Sequence, residues 1–228
     1  MPSDETDAAA GAKSPSASDP ERRLRLAAIL LAAGASRRFG DDNKLLTEID
    51  GKALAQIVAH EVRSALDGAP LIGVVADGER GASVDGALAP EVDTIVRNKA
   101  ADEGIASSIR VGLAVMDERA PNVDGLLIVQ ADLPNLTSAF VQHLCAVFRG
   151  SNGDEIIVPT TSDGAYRSPI IWPRSLCAEL SRLSGDTGGR SILRKNAHRV
   201  RPVRAEDETA FLDIDTIDDL RYWRGQRR

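Results

Sequence analysis

Aromatic residues are scarce in this chain of 228 residues, which has four Phe, two Trp and two Tyr. With so few rings available, a buried core has to consist mainly of Ala, Val, Ile and Leu. β-Sandwich proteins depend on aromatic and β-branched strand residues, so this composition favours an α/β protein. The length is sufficient for one sizeable domain together with tails.

Cysteine is scarce as well, since Cys145 and Cys177 are the only two. Neither lies in a CxxC or Cys/His spacing, so the sequence provides no structural zinc site and no disulfide framework. We expect both to be buried free thiols. The three histidines, His60, His143 and His198, also lack metal-ligand spacing, and we interpret them as surface or helix-face residues.

An excess of positive charge is missing too. The chain has 28 Lys and Arg against 34 Asp and Glu, a formal net charge of -6, which argues against a protein that coats nucleic acid through its phosphates. No run of 18 apolar residues indicates a membrane span, and residues 1–5 lack the basic and apolar regions of a secretory signal. We therefore expect a cytoplasmic protein without a nucleic-acid or membrane partner.

Residues 1–22 are rich in Ala, Ser, Asp and Pro without apolar periodicity, and we predict a disordered tail there. Residues 23–228 instead alternate apolar runs of strand length with segments of helical periodicity. This alternation predicts a single Rossmann-like α/β domain with a doubly wound, mostly parallel sheet. The predicted strands are Leu24–Ala33, Leu71–Ala76, Val92–Val96, Gly125–Val129, Glu155–Pro159, Arg167–Trp172, Val200–Arg204 and Ala210–Asp215. The predicted helices are Lys52–Leu66, Ser83–Leu88, Ile105–Met116, Thr137–Phe148 with Thr137 as N-cap, Leu176–Leu183, Gly188–Lys195 and a last helix from Thr216.

A glycine-rich turn directly follows the first predicted strand and runs from Gly34 through Gly40 to Lys44. Ligands of open α/β sheets bind at the carboxyl ends of the strands, where this turn lies. Its glycines allow the close approach of a triphosphate, its backbone N–H groups suit an anion, and Arg37, Arg38 and Lys44 supply positive charge. The turn matches neither GxGxxG nor GxxxxGK[ST], so a turn with merely solvated arginines is the alternative.

Five segments resemble the MobA-like nucleotidyltransferases, and specifically their molybdenum cofactor cytidylyltransferase branch. The first is LAAGxSxRFG followed by Lys44, in which Ala33 is similar to the cytidylyl branch, whereas the guanylyl branch has a second glycine there. Together the segments span about residues 26–220, and five motifs in order make chance a poor explanation. The resemblance implies a GT-A-like nucleotidyltransferase fold. The other four segments are Asn98 with Glu103–Ser108, Gln130–Pro134, Gly185–Arg190 and Leu212–Leu220.

This resemblance implies Mg²⁺-dependent transfer of CMP from CTP to the terminal phosphate of molybdopterin or its molybdenum form, with a molybdoenzyme as a further partner. It also implies that Asp132, which closes the strand GLLIVQAD, and an acid of the DIDT segment hold the metal. Asp213 and Asp215 alternate with apolar residues in a predicted strand, so we expect both on one face. The structural alternatives are that Asp132 caps a turn before Pro134, and that Asp213 or Asp215 caps the last helix.

The predicted catalytic residues are Lys44, Arg38 and Asp132, with the Lys44 ammonium stabilising charge on the triphosphate. We predict that the acceptor side includes Ser168, Asp186 and Arg190. The predicted nucleotide-binding residues are Leu31, Ala32, Ala33, Gly34, Arg38, Lys44, Asn98, Gly104 and Ser108.

One turn departs from the family pattern. Where the family carries Gly-(His or Asn)-Pro on the acceptor side, this chain has Tyr166, Arg167, Ser168 and Pro169. A sugar phosphate or an alcohol phosphate therefore stays open as the acceptor. A catalytically silent protein that handles the cofactor is the alternative from another functional class.

Overall fold

A seven-stranded sheet forms the centre of the computed structural model, which describes residues 23–34, 36, 39, 43–186 and 188–226. The predicted tail, residues 1–22, lies outside the described residues and stays a prediction. A separate antiparallel ribbon is formed by Glu48–Ile49 and Lys52–Ala53. The strands are β1 (Leu26–Ala32), β2 (Glu48–Ile49), β3 (Lys52–Ala53), β4 (Leu71–Ala76), β5 (Thr94–Asn98), β6 (Gly125–Gln130), β7 (Ile156–Thr160), β8 (Ile170–Pro173) and β9 (Val200–Arg204).

The strands of the large sheet lie in the order β5-β4-β1-β6-β8-β7-β9. β1 pairs in parallel with β4 on one side and β6 on the other, so that Leu31 lies beside both Val74 and Gln130. β8 is antiparallel to both of its neighbours, and β7 and β9 are parallel. The predicted mostly parallel α/β fold is confirmed.

Helices cover both faces of this sheet, as a doubly wound fold requires. Leu30 of β1 belongs to the apolar cluster beneath α1 (Leu54–Ala65) and α4 (Ser138–Gly150). Its neighbour Ile29 belongs to the cluster beneath α3 (Ile105–Arg119). Central strands buried on both faces explain the continuous apolar runs of the sequence. No helix in the described ranges has the length and apolarity that a bilayer crossing needs. The helices are α1 (Leu54–Ala65), α2 (Glu79–Leu88), α3 (Ile105–Arg119), α4 (Ser138–Gly150), α5 (Cys177–Leu180), α6 (Arg190–Lys195) and α7 (Ile217–Gln226).

Side-chain caps begin two of these helices. The Thr137 side chain accepts a hydrogen bond from the Phe140 N–H at 3.3 Å, which confirms the predicted N-cap of α4. Before α7, Thr216 Oγ1 accepts from the Asp219 N–H at 3.1 Å, and the Asp219 carboxylate accepts from the Thr216 N–H at 2.7 Å. The reciprocal pair of Thr216 and Asp219 therefore caps α7, a role that the sequence analysis offers to Asp213 or Asp215 as a structural alternative.

The predicted strand Ala210–Asp215 is wrong. Its first two residues belong to a 3-10 helix, Glu208–Phe211, whose start is capped by the side chain of Asp207. The residues that follow join no strand ladder in the described part of the chain, and the Ile214 N–H donates instead to the Asp132 carbonyl at 3.2 Å. The alternating pattern arises because Ile214 is 1% exposed between two acids that lie nearer to solvent.

Candidate functional site

The carboxyl ends of β1 and β6 meet at one edge of the sheet. The two strands pair up to Leu31 and Gln130, and beyond them the Ala131 N–H donates to the Leu31 carbonyl at 3.1 Å. Gly34 therefore follows β1, and Asp132 follows β6, at neighbouring positions of the same edge. This is the edge at which parallel α/β sheets bind ligands.

The Lys44 ammonium lies between two carboxylates at this edge. Its Nζ is 2.7 Å from Asp132 Oδ2 and 2.5 Å from Asp215 Oδ1, and Lys44 is only 8% exposed. Burial by itself lowers the pKa of Lys44, but attraction to Asp132 and the hydrogen bonds to both carboxylates outweigh it, so the pKa is raised. The ammonium therefore keeps its charge at neutral pH.

A short 3-10 turn, Lys44–Leu46, positions the backbone of this lysine. The Asn43 side chain caps the turn by accepting from the Leu45 N–H at 3.1 Å. The Lys44 N–H donates to Ser36 Oγ at 3.3 Å. Local hydrogen bonds thus hold the lysine backbone while its long side chain reaches across to the carboxylates.

Three carboxylates converge beside the ammonium. One oxygen from each of Asp132, Asp213 and Asp215 lies within 4.8 Å of the other two. Asp132 Oδ1 is buried and has no hydrogen-bond partner among the described residues. Partial burial of the Asp213 carboxylate, together with repulsion from Asp215 and Asp132, raises its pKa. Three convergent carboxylates with one unpartnered oxygen fit a hard divalent cation, which Asp132, Asp213 and Asp215 would hold. We call Lys44 and these three acids the Lys44–carboxylate cluster.

A cavity of about 510 Å³ opens beside the cluster, and we call it the smaller cavity. Its wall includes most of the predicted nucleotide-binding residues. Arg38, predicted for both catalysis and nucleotide binding, lies outside the described residues. The predicted residues in the wall are Leu31, Ala33, Gly34, Lys44, Gly104, Ser108, Asp132, Asp186, Asp213 and Asp215.

Two predicted nucleotide-binding residues do not line this cavity. Ala32 is buried in the apolar cluster beneath α1. Asn98 is 1% exposed, and its amide donates to Ser107 Oγ at 2.8 Å and to Ser108 Oγ at 3.0 Å. Asn98 therefore ties the end of β5 to the start of α3, one layer behind the cavity wall.

Gly104 lines the smaller cavity and packs directly against the turn that contains Asp186. Its φ of 99° is in the region that favours glycine, and a Cβ there would overlap the Asp186 carboxylate and the backbone of Gly185. The Ile105 N–H at the start of α3 donates to Asp186 Oδ1 at 3.2 Å, and the Ala106 N–H donates to the Gly185 carbonyl at 3.2 Å. The absence of a side chain at Gly104 is what allows this close contact.

A larger cavity, of about 810 Å³, adjoins the smaller one. All three predicted acceptor-side residues, Ser168, Asp186 and Arg190, line it. Trp172 also lines it and packs so closely on Gly189 that a Cβ on that glycine would overlap the indole ring. The two cavities share the residues Leu31, Ile105, Gln130, Asp186 and Asp213.

Several lining residues were not predicted from the sequence. Gln130 lines both cavities and ends β6, so a polar residue closing an apolar strand was the available signal. Ile105, which also lines both, carries no such signal because an apolar residue at a helix start is ordinary. Tyr166 and Arg167 belong to the turn that the sequence analysis places on the acceptor side, and they line the larger cavity beside Ser168.

The sequence profile of the MobA-like NTP transferase domain matches residues 28–200 of this chain. The chain belongs to the MobA-like NTP transferase family. This MobA-like chain is 28% identical over 211 residues to a probable molybdenum cofactor guanylyltransferase of Haloferax mediterranei, covering 88% of the chain and 94% of the relative. It is also 28% identical over 204 residues to nicotine blue oxidoreductase of Paenarthrobacter nicotinovorans, covering 84% of the chain and 93% of that relative.

The solved structure of Rv0371c from Mycobacterium tuberculosis H37Rv resembles the MobA-like chain with a TM-score of 0.71 and 28% identity, covering 88% of this chain and 97% of that one. A structure of Rv0371c in complex with manganese gives a TM-score of 0.68 and 27% identity over 87% of this chain and 97% of that one. Family and fold together identify the chain as a nucleotidyltransferase.

Proposed function

We propose that this MobA-like nucleotidyltransferase transfers CMP from CTP to the terminal phosphate of molybdopterin or its molybdenum form, using Mg²⁺ and releasing pyrophosphate. Kinship alone does not decide the reaction, because one relative is named a guanylyltransferase and another an oxidoreductase. The observation that supports transfer is the Lys44–carboxylate cluster at the junction of two cavities. The smaller cavity, bordered by Gly34, suits the triphosphate, and the larger cavity suits the acceptor.

In this reaction, an oxygen of the acceptor phosphate attacks the α-phosphorus, and the bond from that phosphorus to the bridging oxygen of pyrophosphate breaks. The protein contributes position and charge. The Lys44 ammonium stabilises negative charge that develops on the triphosphate, and Asp132, Asp213 and Asp215 hold the cation. A bound divalent cation supplies charge neutralisation at the phosphate oxygens. No general base is needed because a phosphate monoester is already ionised at neutral pH.

A divalent cation is supported by the three carboxylates and by the manganese complex of Rv0371c. Mg²⁺ is our choice because all the ligand atoms on offer are carboxylate oxygens, which this hard cation prefers, and because it commonly keeps waters and phosphate oxygens as its other ligands.

Ala33 is the basis for CTP as the donor. Ala33 is 5% exposed and borders the smaller cavity. The guanylyl branch that this sequence resembles in part has a glycine at this position, and we infer that the methyl group of Ala33 disfavours the larger purine base. The name of the Haloferax relative makes GTP the competing donor. We expect CTP to be preferred by at least tenfold, or about 1.4 kcal/mol, and Ala33→Gly to reduce this preference.

The larger cavity supports a phosphorylated heterocycle as the acceptor. Tyr166 is 47% exposed and offers aromatic surface, while Arg167 and Arg190 offer positive charge in the same wall. An acceptor without an aromatic ring system, such as a sugar phosphate or an alcohol phosphate, would leave the Tyr166 ring without a stacking partner. A molybdoenzyme that takes up the product is the further partner that we propose.

Pyrophosphate release tests this proposal. Each of the four ribonucleoside triphosphates is offered with molybdopterin, with a sugar phosphate and without an acceptor, in the presence of Mg²⁺. We expect release with CTP and molybdopterin. Equal turnover of CTP and GTP would contradict the donor, release with the sugar phosphate alone would contradict the acceptor, and no release in any combination would favour the silent cofactor-handling protein.

A further inference from the structure

Lys44 and a divalent cation compete for the same carboxylates. The Lys44 Nζ donates hydrogen bonds to Asp132 Oδ2 at 2.7 Å and to Asp215 Oδ1 at 2.5 Å. These two acids are among the three carboxylates that would hold the cation. A carboxylate that already accepts a charge-assisted hydrogen bond is a weaker ligand for a second cation. The Lys44 ammonium and a divalent cation a few ångströms away also repel each other, and burial strengthens this repulsion. Binding of either cation therefore opposes binding of the other.

The ammonium has a second place within reach. Lys44 lines the smaller cavity together with Gly34 and Ser36, and a Cβ built on Gly34 would meet nothing within 4 Å. The four-carbon side chain of lysine allows Nζ to turn towards this space while the 3-10 turn holds the backbone. A triphosphate in the smaller cavity would offer that ammonium new anionic partners.

The two ion pairs of Lys44 differ in their access to solvent. The Asp132 side chain is 11% exposed, whereas the Asp215 side chain is 40% exposed. Of the two carboxylates that pair with Lys44, Asp215 is therefore the more accessible to an incoming cation. The unpartnered Oδ1 of Asp132 gives the cation a second ligand before the Lys44 contact with Oδ2 of that residue has to break.

We propose that Lys44 is an exchangeable cation of this site. Its ammonium neutralises Asp132 and Asp215 until a divalent cation takes over these carboxylates, and it then pairs with the triphosphate. This inference rests on the proposed function, because it assigns the carboxylates to a divalent cation and the smaller cavity to a triphosphate. On this inference, the Lys44 ammonium becomes free to bind the triphosphate only when the divalent cation binds the carboxylates.

Mn²⁺ binding without nucleotide tests the competition directly. The free Mn²⁺ signal in electron paramagnetic resonance gives the affinity for the wild type, Lys44→Met and Lys44→Gln. Lys52→Met, at an exposed lysine of β3, is the matched control because it changes the net charge equally. We expect both Lys44 variants to bind Mn²⁺ about tenfold more tightly and the control to stay within about twofold of the wild type. Unchanged or weaker Mn²⁺ binding in folded Lys44 variants, or no binding by any variant, would overturn the inference.

Nucleotide binding at saturating Mn²⁺ tests the second half of the exchange. We expect CTP and GTP each to bind several-fold less tightly to Lys44→Met than to the wild type. Lys44→Met would then bind Mn²⁺ more tightly than the wild type but bind nucleotide more weakly. Tighter Mn²⁺ binding with unchanged nucleotide affinity would refute the transfer of the ammonium to the triphosphate. Pyrophosphate release by the wild type is measured separately, so its absence would refute the proposed reaction while the Mn²⁺ affinities still decide the exchange.

Discussion

Replacement of Asp132 by Asn perturbs the most buried acid of the Lys44–carboxylate cluster with almost no change of shape. Three carboxylates and one ammonium give the cluster two negative charges in excess, and the substitution leaves one. The amide also offers a divalent cation a single neutral oxygen in place of a carboxylate. Asp132 Oδ1, which has no partner in the described part of the chain, is lost as a charged ligand.

The magnitude follows from the contacts that remain. Lys44 loses its charge-assisted partner at 2.7 Å but keeps Asp215 at 2.5 Å, so the fold loses about 1.5–3 kcal/mol. For a protein of this size, that lowers the midpoint of thermal unfolding by about 3–12 °C. The loss of a cation ligand acts on the reaction itself, and we expect pyrophosphate release to fall by about 100-fold or more, or about 2.7 kcal/mol.

The assay is Mg²⁺-dependent pyrophosphate release by purified Asp132→Asn with CTP and with GTP, below its unfolding temperature as monitored by circular dichroism. Asp218→Asn is the matched control, because its carboxylate is 86% exposed and pairs with Arg221 outside the cluster. The control should release pyrophosphate at the wild-type rate. A wild-type rate in folded Asp132→Asn would refute the role of these carboxylates in holding the cation.

Three further changes test the same geometry. Asp215→Asn should reduce pyrophosphate release severely because it also removes a partner of Lys44, whereas Asp213→Asn should reduce it mildly. Similar rates in the two variants would contradict the assignment of Asp215 as the more important carboxylate. Lys44→Ala should lower kcat by about 100-fold or more and change the KM for the nucleotide only several-fold, and a rise in KM with kcat unchanged would instead mark a plain binding contact. Gly104→Ala should lower the free energy of unfolding by about 1–3 kcal/mol more than Gly68→Ala, as measured by thermal denaturation. Both glycines have positive φ, but only Gly104 lies against Asp186. Equal losses in the two variants would show that backbone strain alone matters.

The sequence predicts the strands of this fold well because a strand covered on both faces is apolar throughout. Leu71–Ala76 is buried throughout and has the predicted bounds, and Thr137 is the predicted cap. Val200–Arg204 also has the predicted bounds, although it is an edge strand with one fully buried residue. These features depend on residues that are close together in the chain. The error at Ala210–Asp215 has a local origin too, because one buried residue between two acids imitates the alternation of a strand.

Contacts between distant segments could not be predicted from local pattern. Lys44 is 88 residues from Asp132 and 171 residues from Asp215, so no spacing rule connects the ion pairs. Asp186 likewise meets the Ile105 N–H across 81 residues. Asn98 is a predicted nucleotide-binding residue, but in the fold its amide donates to Ser107 and to Ser108, and only Ser108 of these three residues lines the smaller cavity.

The walls of the two cavities come from different stretches of the chain. Residues particular to the smaller cavity belong mainly to 33–45 and 101–108, and those particular to the larger cavity belong mainly to 161–172, 188–193 and 208–212. Evolution can therefore alter the later stretches, and with them the molecule that the larger cavity accepts, while the earlier stretches are inherited unchanged.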